Sequence, residues 1–578
     1  MKIRKVVSVL LVACLAGGAL GVSAYAESGF KEKVTDVAVT AFDGVVSGVL
    51  GFLSKIIPYR ADAEDADKGI FYEGTEEFLD EPAPGAQWEL GSAWASLVPD
   101  DWKEHTYYLG GYIVADNWFT NKVEGLIDDM RVRVIALSDG SGRGVSVFGT
   151  IDSIGVSNKD IRAIRALVAQ KAAEAGVELS SVNVSSTHCH SGIDTQGLWT
   201  DLFKKAIHNV FAAYTGLEMD PGADEHYLSF MRETVADAML EAIGNMTPGT
   251  MTFSSKSISE DYFSNKNRKS ATSLPTELNR FVFTPDDSGE LPTMIVNLGA
   301  HPDVTGLPTD DNSGREVSGD YIYWMGDELA AHGYNCMFFN GAIAGIYMGR
   351  GPSNDGLPME KRYMQSERYG REIGKLLLAM NMTEDEIYES DLYDADVIAA
   401  EKEASAGGYT LWCEGWEPVE EVEVEPLFNI RLKEVTLRAT NPLIILAGKL
   451  KLANYNIFRD EDRNYCITTE IGYAEFGGIG AALVPGELVT DLYRGGGSLT
   501  AEGSANHEDF GHPYLCEIFG DGIICFGLTE DAIGYIVPDN DYKLAIIDDH
   551  YQELISLGKN TASTLMDAYA KLAEEIGK

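Results

Sequence analysis

Cysteine is scarce in this chain. Seven occur in 578 residues, and one of them, Cys14, lies in an apolar leader. The other six are Cys189, Cys336, Cys413, Cys466, Cys516 and Cys525, too sparse for a disulfide-built secreted scaffold and not assignable to pairs. None forms a C-x-x-C pair, which argues against a structural zinc knuckle. Positive charge is also short: 45 Lys and Arg against 90 Asp and Glu leave a formal net charge of −45. Such a surface repels a phosphate backbone, so nucleic acid is not expected as a partner. Beyond the leader there is no run of about 20 uncharged apolar residues, the length a helix needs to span a bilayer. Internal repeats and low-complexity tracts are absent as well. What remains is an ordered globular composition, 45% hydrophobic with 60 glycines.

The leader gives an address. Met1 to Lys5 is basic, Val6 to Leu20 is mostly apolar, and Ala24-Tyr25-Ala26 offers a small-x-small cleavage site. Residues 1–26 therefore read as a signal peptide cleaved after Ala26, on a secreted or cell-surface protein. Leu11-Val12-Ala13-Cys14 offers lipoprotein processing as the alternative. Residues 27–87 follow as an accessory region. Phe30, Val34, Val37, Phe42, Val46, Leu50, Leu53 and Ile57 fall near helical spacing, and Pro58 ends the pattern. That helix reads as a pro-segment or as packed on the main domain, with peripheral membrane-surface contact as the sharper reading. Asp62 to Pro84 is an acidic linker, and residues 88–578 form the body.

The body reads as α/β: mixed β-sheets flanked by helices in a single large domain. Met130–Leu137 and Val145–Asp152 pair as strands across a glycine turn. Asn158 to Ala175 is a helix with Asn158 as its cap and Gly176 as its stop. A β-branched run then climbs into Thr187-His188-Cys189-His190-Ser191-Gly192. If that run is a strand, alternation puts His188 and His190 on one face, roughly 6–7 Å apart. One imidazole could then hold a metal while its neighbour handles a proton; the plain alternative is polar surface. His301, Glu487 and Tyr535 each follow an apolar strand, where α/β proteins commonly place active sites. A mixed nitrogen and oxygen set suits zinc. Each also has an ordinary reading: a loop residue, a helix cap, a core aromatic. Spacing alone does not join them.

The order of landmarks joins them. Ser186 to Gly192 reads S-T-H-C-H-S-G. It is followed by Asn267-Arg268, Asn297 to His301, Ser318-Gly319-Asp320, Leu483 to Glu487, Leu528 to Tyr535 and His550-Tyr551-Gln552-Glu553. From about Asp129 onward this series resembles the amino-terminal catalytic domain of the neutral/alkaline non-lysosomal ceramidase family. The resemblance implies Zn2+ held by His188, His301, Glu487 and Tyr535, with His190 as the acid/base group. It implies that Arg268 and Tyr551 hold the substrate and the developing oxyanion. The expected function is a secreted zinc-dependent amidohydrolase that cleaves the N-acyl amide of ceramide or a related lipid. Two loops depart from the pattern. Asn340 is followed by Gly341-Ala342-Ile343-Ala344-Gly345, without the family's serine, and Ile193-Asp194-Thr195-Gln196-Gly197 replaces a glycine-rich run. These departures leave open a different amide or ester substrate, or a surface binding protein without turnover. The carboxyl-terminal immunoglobulin-like domain of longer relatives is not expected.

Overall fold

The computed structural model describes residues 48–59, 69–112, 121–266, 273–287, 289–304, 314–349, 351, 362–405, 409–544 and 551–578. The leader with Cys14 and Ala26, most of the predicted amphipathic helix, Asn267-Arg268 and His550 lie outside the described residues.

Two sheets face each other. The larger contains β1 (Trp88–Ser96), β2 (Arg131–Ser138), β3 (Val145–Ile151), β4 (Leu179–Ser186), β5 (Thr247–Ser257), β6 (Glu277–Pro285), β7 (Thr293–Leu298) and β8 (Asn335–Asn340). Their order is β8-β7-β6-β5-β1-β2-β3-β4, with Val422–Val424 added on β5 as the ninth strand. The middle of the sheet is antiparallel, whereas β3–β4 and β7–β8 at its two edges are parallel. Parallel neighbours need a crossover, and each pair has a helical one: α1 (Asn158–Ala175) between β3 and β4, and α2 (Asp320–Ala331) between β7 and β8. The second sheet contains β9 (Phe428–Arg438), β10 (Tyr465–Phe476), β11 (Ile479–Leu483) and β12 (Ile524–Phe526).

Burial explains the layering. The six residues Val132 to Leu137 in β2 are buried without a break, as expected for a strand covered on both faces. One face packs under α1 and the helix Glu225–Gly244, through residues such as Ile164, Val168, Met231 and Met239. The other face meets the second sheet in an apolar layer that includes Ile135, Phe148, Phe281, Phe428 and Phe476. The far side of the second sheet is covered by the helix Thr561–Ile576, whose Leu565, Met566, Tyr569 and Leu572 are buried there. The large domain is thus mixed α/β, as the strand–helix–strand pattern predicts.

The large sheet curls until its edges meet. β8 lies against β2, β3 and β4, although it is at the opposite end of the strand order. The segment after β12 fits into the remaining gap. Gly527 N–H donates to Asn340 O of β8 at 2.9 Å, and Ser186 N–H of β4 donates to Leu528 O at 3.0 Å. Phe526 stacks on Phe339 with ring centroids 4.0 Å apart. Asn297 fixes the seam, donating its side-chain amide to the carbonyls of Phe339, Asn340 and Cys525. The carboxyl ends of β4, β7, β8 and β12 therefore converge.

Several local readings change. Helix α1 spans the expected residues and stops at Gly176 in the left-handed region (φ 74°), but its cap is Ser157. Asn158 instead donates to Glu470 and to the Glu530 carbonyl. All six cysteines among the described residues are free. Residues 48–56 are helical and bury Leu50 and Leu53, together with Ile57 just beyond, against Leu202, Val210 and Leu446. Part of the acidic stretch also docks, because Thr75 and Leu79 bond to Ile430 and Asn429 of β9. No helix among the described residues is long and apolar enough to cross a membrane.

Candidate metal centre

His188 and His190 do not sit on the strand. β4 ends at Ser186, and His188 takes a left-handed backbone (φ 62°), so alternation cannot describe the pair. A non-glycine residue there is strained by about 1–2 kcal/mol. Three contacts hold it: Thr187 N–H donates to Ile151 O, Cys189 N–H donates to Ser153 O, and the His188 ring bonds to Ile154 O. Gly192 is required beside it, since a Cβ there would stand 2.9 Å from Asp152 O. The tight loop brings the His188 and His190 rings to a centroid distance of 4.9 Å, nearly perpendicular to each other.

His301 arrives from the other edge, three residues after β7. Its ring centroid is 4.7 Å from His188 and 5.7 Å from His190. Glu487 and Tyr535 come from the second sheet. Glu487 follows β11, Tyr535 follows β12, and the two are register partners in a short parallel ladder. Gly486 permits that approach, because a Cβ on it would stand 2.5 Å from Gly534 O. The Tyr535 hydroxyl bonds to the Glu487 carboxylate. The structure thus brings His188, His190, His301, Glu487 and Tyr535 to one buried place.

The polar geometry is specific. His188 Nδ1 donates to Ile154 O at 2.7 Å, and His301 Nδ1 donates to Ile346 O at 2.8 Å. A carbonyl can only accept, so these bonds assign the proton to Nδ1 and leave each Nε2 with its lone pair. Both Nε2 atoms point at the same oxygen, Glu487 Oε2, at 3.3 Å and 3.2 Å. Three acceptors facing one another need a cation among them, whether protons or a metal ion. Ligands about 2.0–2.1 Å from a tetrahedral ion lie about 3.3–3.4 Å apart, which matches these separations. Backbone carbonyls on the remote nitrogens are the usual means of aiming imidazole ligands at a metal. The residues present fit a metal ion.

Burial and charge act on the titrating groups together. Burial alone would raise the Glu487 carboxyl, but His188 and His301 hold it well below the usual carboxylate range. Burial would lower His301, yet its bond to Glu487 raises it overall. His190 is pushed well below the ordinary histidine value, first by burial and then by its two imidazole neighbours. Burial, followed by Glu487, pushes the Tyr535 phenol well above its usual value. Neither ring nitrogen of His190 has a hydrogen-bond partner among the described residues. The side-chain oxygens of Thr187, Ser191 and Asn340 nearby are also buried without partners. Orphaned buried polar atoms are rare and call for an ion, a water or a substrate. The ligand atoms of His188, His190 and His301 lie within 4.8 Å of one another, so His190 is also within reach of a metal.

Three residues of the site escaped sequence reasoning. Tyr112 packs over His190 at a centroid distance of 4.4 Å and donates its hydroxyl to Asp303 Oδ2 at 2.5 Å. Tyr347 stacks on His301 at 4.7 Å and shares hydrogen bonds with Tyr112 and Tyr535. No spacing or motif signals Tyr112 or Tyr347; Asp303, two residues beyond His301, was the findable one. Tyr551 stands at the rim, 6.1 Å from Tyr535 and 6.2 Å from Tyr112 by ring centroid. Beside the histidines lies a cavity of about 80 Å³ whose lining includes Leu198, Trp199, Ile444, Tyr455 and Ile533.

The fold and the buried histidine–carboxylate–tyrosine cluster define a large mixed α/β domain with a metal-capable centre at the seam of two sheets. Solved structures of ceramidases share this fold. One is the neutral ceramidase from Pseudomonas aeruginosa, 14% identical, with a TM-score of 0.54 over 85% of this chain and 75% of that one. Another is a ceramidase complexed with C2, 12% identical, with a TM-score of 0.52 over 84% of this chain and 75% of that one. No family model matches the chain, and no curated protein matches it in sequence. At these identities the likeness is one of fold.

Proposed function

We propose that this chain is a zinc-dependent hydrolase that cleaves the N-acyl amide bond of ceramide or a closely related lipid. One observation carries the reading: two imidazole Nε2 atoms face Glu487 Oε2 at 3.3 Å and 3.2 Å while both Nδ1 atoms are committed to carbonyls. His188, His301, Glu487 and Tyr535 hold the ion, and the chemistry it supplies when bound is Lewis acidity toward the amide carbonyl and the attacking water. His190, with both nitrogens unpartnered, takes the proton from that water and returns it to the leaving amine. Arg268 and Tyr551 hold the substrate and the oxyanion that forms on its carbonyl. Tyr112 and Trp199 help close the site against bulk water, which strengthens each of these interactions.

The shared fold with two ceramidases supports ceramide as substrate. A lipid surface is supported by four apolar side chains on the paired helices 48–56 and Leu202–Thr215 and just beyond. Phe52, Ile207, Phe211 and Leu217 are 58%, 45%, 49% and 53% exposed. In this reading residues 1–26 direct export. A second reading, a hydrolase of a different amide or ester such as a short-chain one, is motivated by the loops Ile193-Asp194-Thr195-Gln196-Gly197 and Gly341-Ala342-Ile343-Ala344-Gly345, which depart from the family pattern. Metal analysis of the purified protein and fatty-acid release from ceramides of graded chain length test both. Absence of bound zinc, or activity unchanged in His188→Ala, would overturn the hydrolase. A strict preference for short acyl groups would select the second reading.

A further inference from the structure

A second histidine cluster lies on the surface, away from the seam. Asp101 and His105 belong to the turn after β1, while Asp224 and His226 begin the helix Glu225–Gly244. Ligand atoms of Asp101, His105 and His226 lie within 4.8 Å of one another. The two rings are in contact at a centroid distance of 4.9 Å. His226 Nε2 is 3.0 Å from Asp101 Oδ2, and His105 Nε2 is 2.6 Å from Asp224 Oδ2.

We infer that Asp101, His105 and His226 form a second divalent transition-metal site, with Asp224 orienting His105. The inference does not depend on the proposed hydrolase. Two carboxylates and two imidazoles carry a net charge of −2 when the imidazoles are neutral. No Lys or Arg among the described residues forms an ion pair with Asp101 or Asp224. The Asp101 carboxylate is aimed from behind: Tyr107 donates its hydroxyl to Oδ1 at 2.7 Å, leaving Oδ2 toward the rings. That bond, followed by the one from His226, holds the Asp101 carboxyl below its ordinary range, so it is an anion at neutral pH. The side chains of His105 and His226 are 39% and 59% exposed, so an ion can reach both rings from solvent. Imidazole with carboxylate suits Zn2+, Co2+, Ni2+ or Cu2+ rather than Ca2+ or Mg2+. The site would join the amino end of the helix to residues 106–112, which bond to the Ile193 loop and end at Tyr112 over His190.

Counting zinc tests this. Full-length protein stripped of metal, dialysed against Zn2+ and washed should bind one ion fewer per chain in the His105→Ala/His226→Ala variant than in the wild type. His188→Ala should keep that surface ion. If the central site holds no zinc, the wild type binds one ion instead of two, and the double variant still loses it. Equal zinc in the wild type and the double variant overturns the inference. Should the double variant fail to fold, the isosteric Asp101→Asn serves: titration calorimetry with Zn2+ should show at least tenfold weaker binding at one site, and unchanged affinity overturns the proposal.

Discussion

The buried cluster at His188, His301 and Glu487 and the exposed cluster at Asp101, His105 and His226 use the same residue types in opposite settings. At the seam, backbone carbonyls fix the rings and leave both Nε2 atoms aimed at Glu487 Oε2. At the surface, carboxylates hold the rings, and both imidazoles stand open to solvent. The difference lies in preorganisation: the central rings are already set by carbonyls in a geometry that fits an ion, whereas the outer rings would have to be set by the ion itself.

The sharpest way to break this comparison is His188→Ala. It should remove the central metal and lower hydrolysis on the order of 10³-fold or more, the scale of several kcal/mol of lost transition-state stabilisation. Metal analysis and a fatty-acid release assay read both quantities. His190→Ala should lower kcat by about 10²–10⁴-fold while leaving the zinc content intact, as loss of an acid/base group does. If zinc is lost instead, His190 belongs with the ligands. At the outer cluster, zinc at about 100 times its Kd should stabilise the protein by about 2.7 kcal/mol, an increment that urea melts of the double histidine variant should lack.

The smallest effect extends the comparison to carboxyl groups. Asp101, exposed, is held below its ordinary range, whereas Asp194, in the loop after His190, is raised by burial to about 6. A folded value above the unfolded 3.8 means that the folded state binds the extra proton. Its contribution to stability is therefore complete below about pH 4, declines as pH rises toward about 6, and is flat above that. Urea melts across this window should show the decline, and Asp194→Asn should flatten it. A slope of the opposite sign would show that the bonds from Gln196, Gly197 and Trp199, rather than burial, govern this group.

How much of this was legible depended on how local the cause was. Helix α1 could be read end to end because its buried face and its glycine stop lie within eighteen residues. The parallel pair β3–β4 was legible as a strand–helix–strand unit. Alternation failed at His188, since a strand period carries no information past Ser186, where a left-handed residue turns the chain. The carbonyls of Ile154 and Ile346 orient the two imidazoles, but a carbonyl is the same in every residue and leaves no mark in the sequence. Arg165 was equally opaque. It reads as one position on a helix, yet it is fully buried between Glu470 and Glu530 at 2.7 Å from each, ties α1 to the second sheet, and braces the segment that leads to Tyr535. The landmarks of the resemblance lie far apart in the sequence; the curl of the sheet is what brings His188, His190, His301, Glu487 and Tyr535 to one place.

That the four proposed ligands divide evenly between two sheets has a consequence for biogenesis. His188 and His301 are synthesised well before Glu487 and Tyr535, so a nascent or truncated chain presents two imidazoles with no carboxylate to complete them. On the proposed zinc reading, metal capture at the seam would act as a checkpoint on completion, because the ion would find its full ligand set only after the segments carrying Glu487 and Tyr535 have docked. Zinc counted in the His105→Ala/His226→Ala variant, where the outer cluster contributes none, would then report whether a preparation contains finished molecules, independently of any assay of what they hydrolyse.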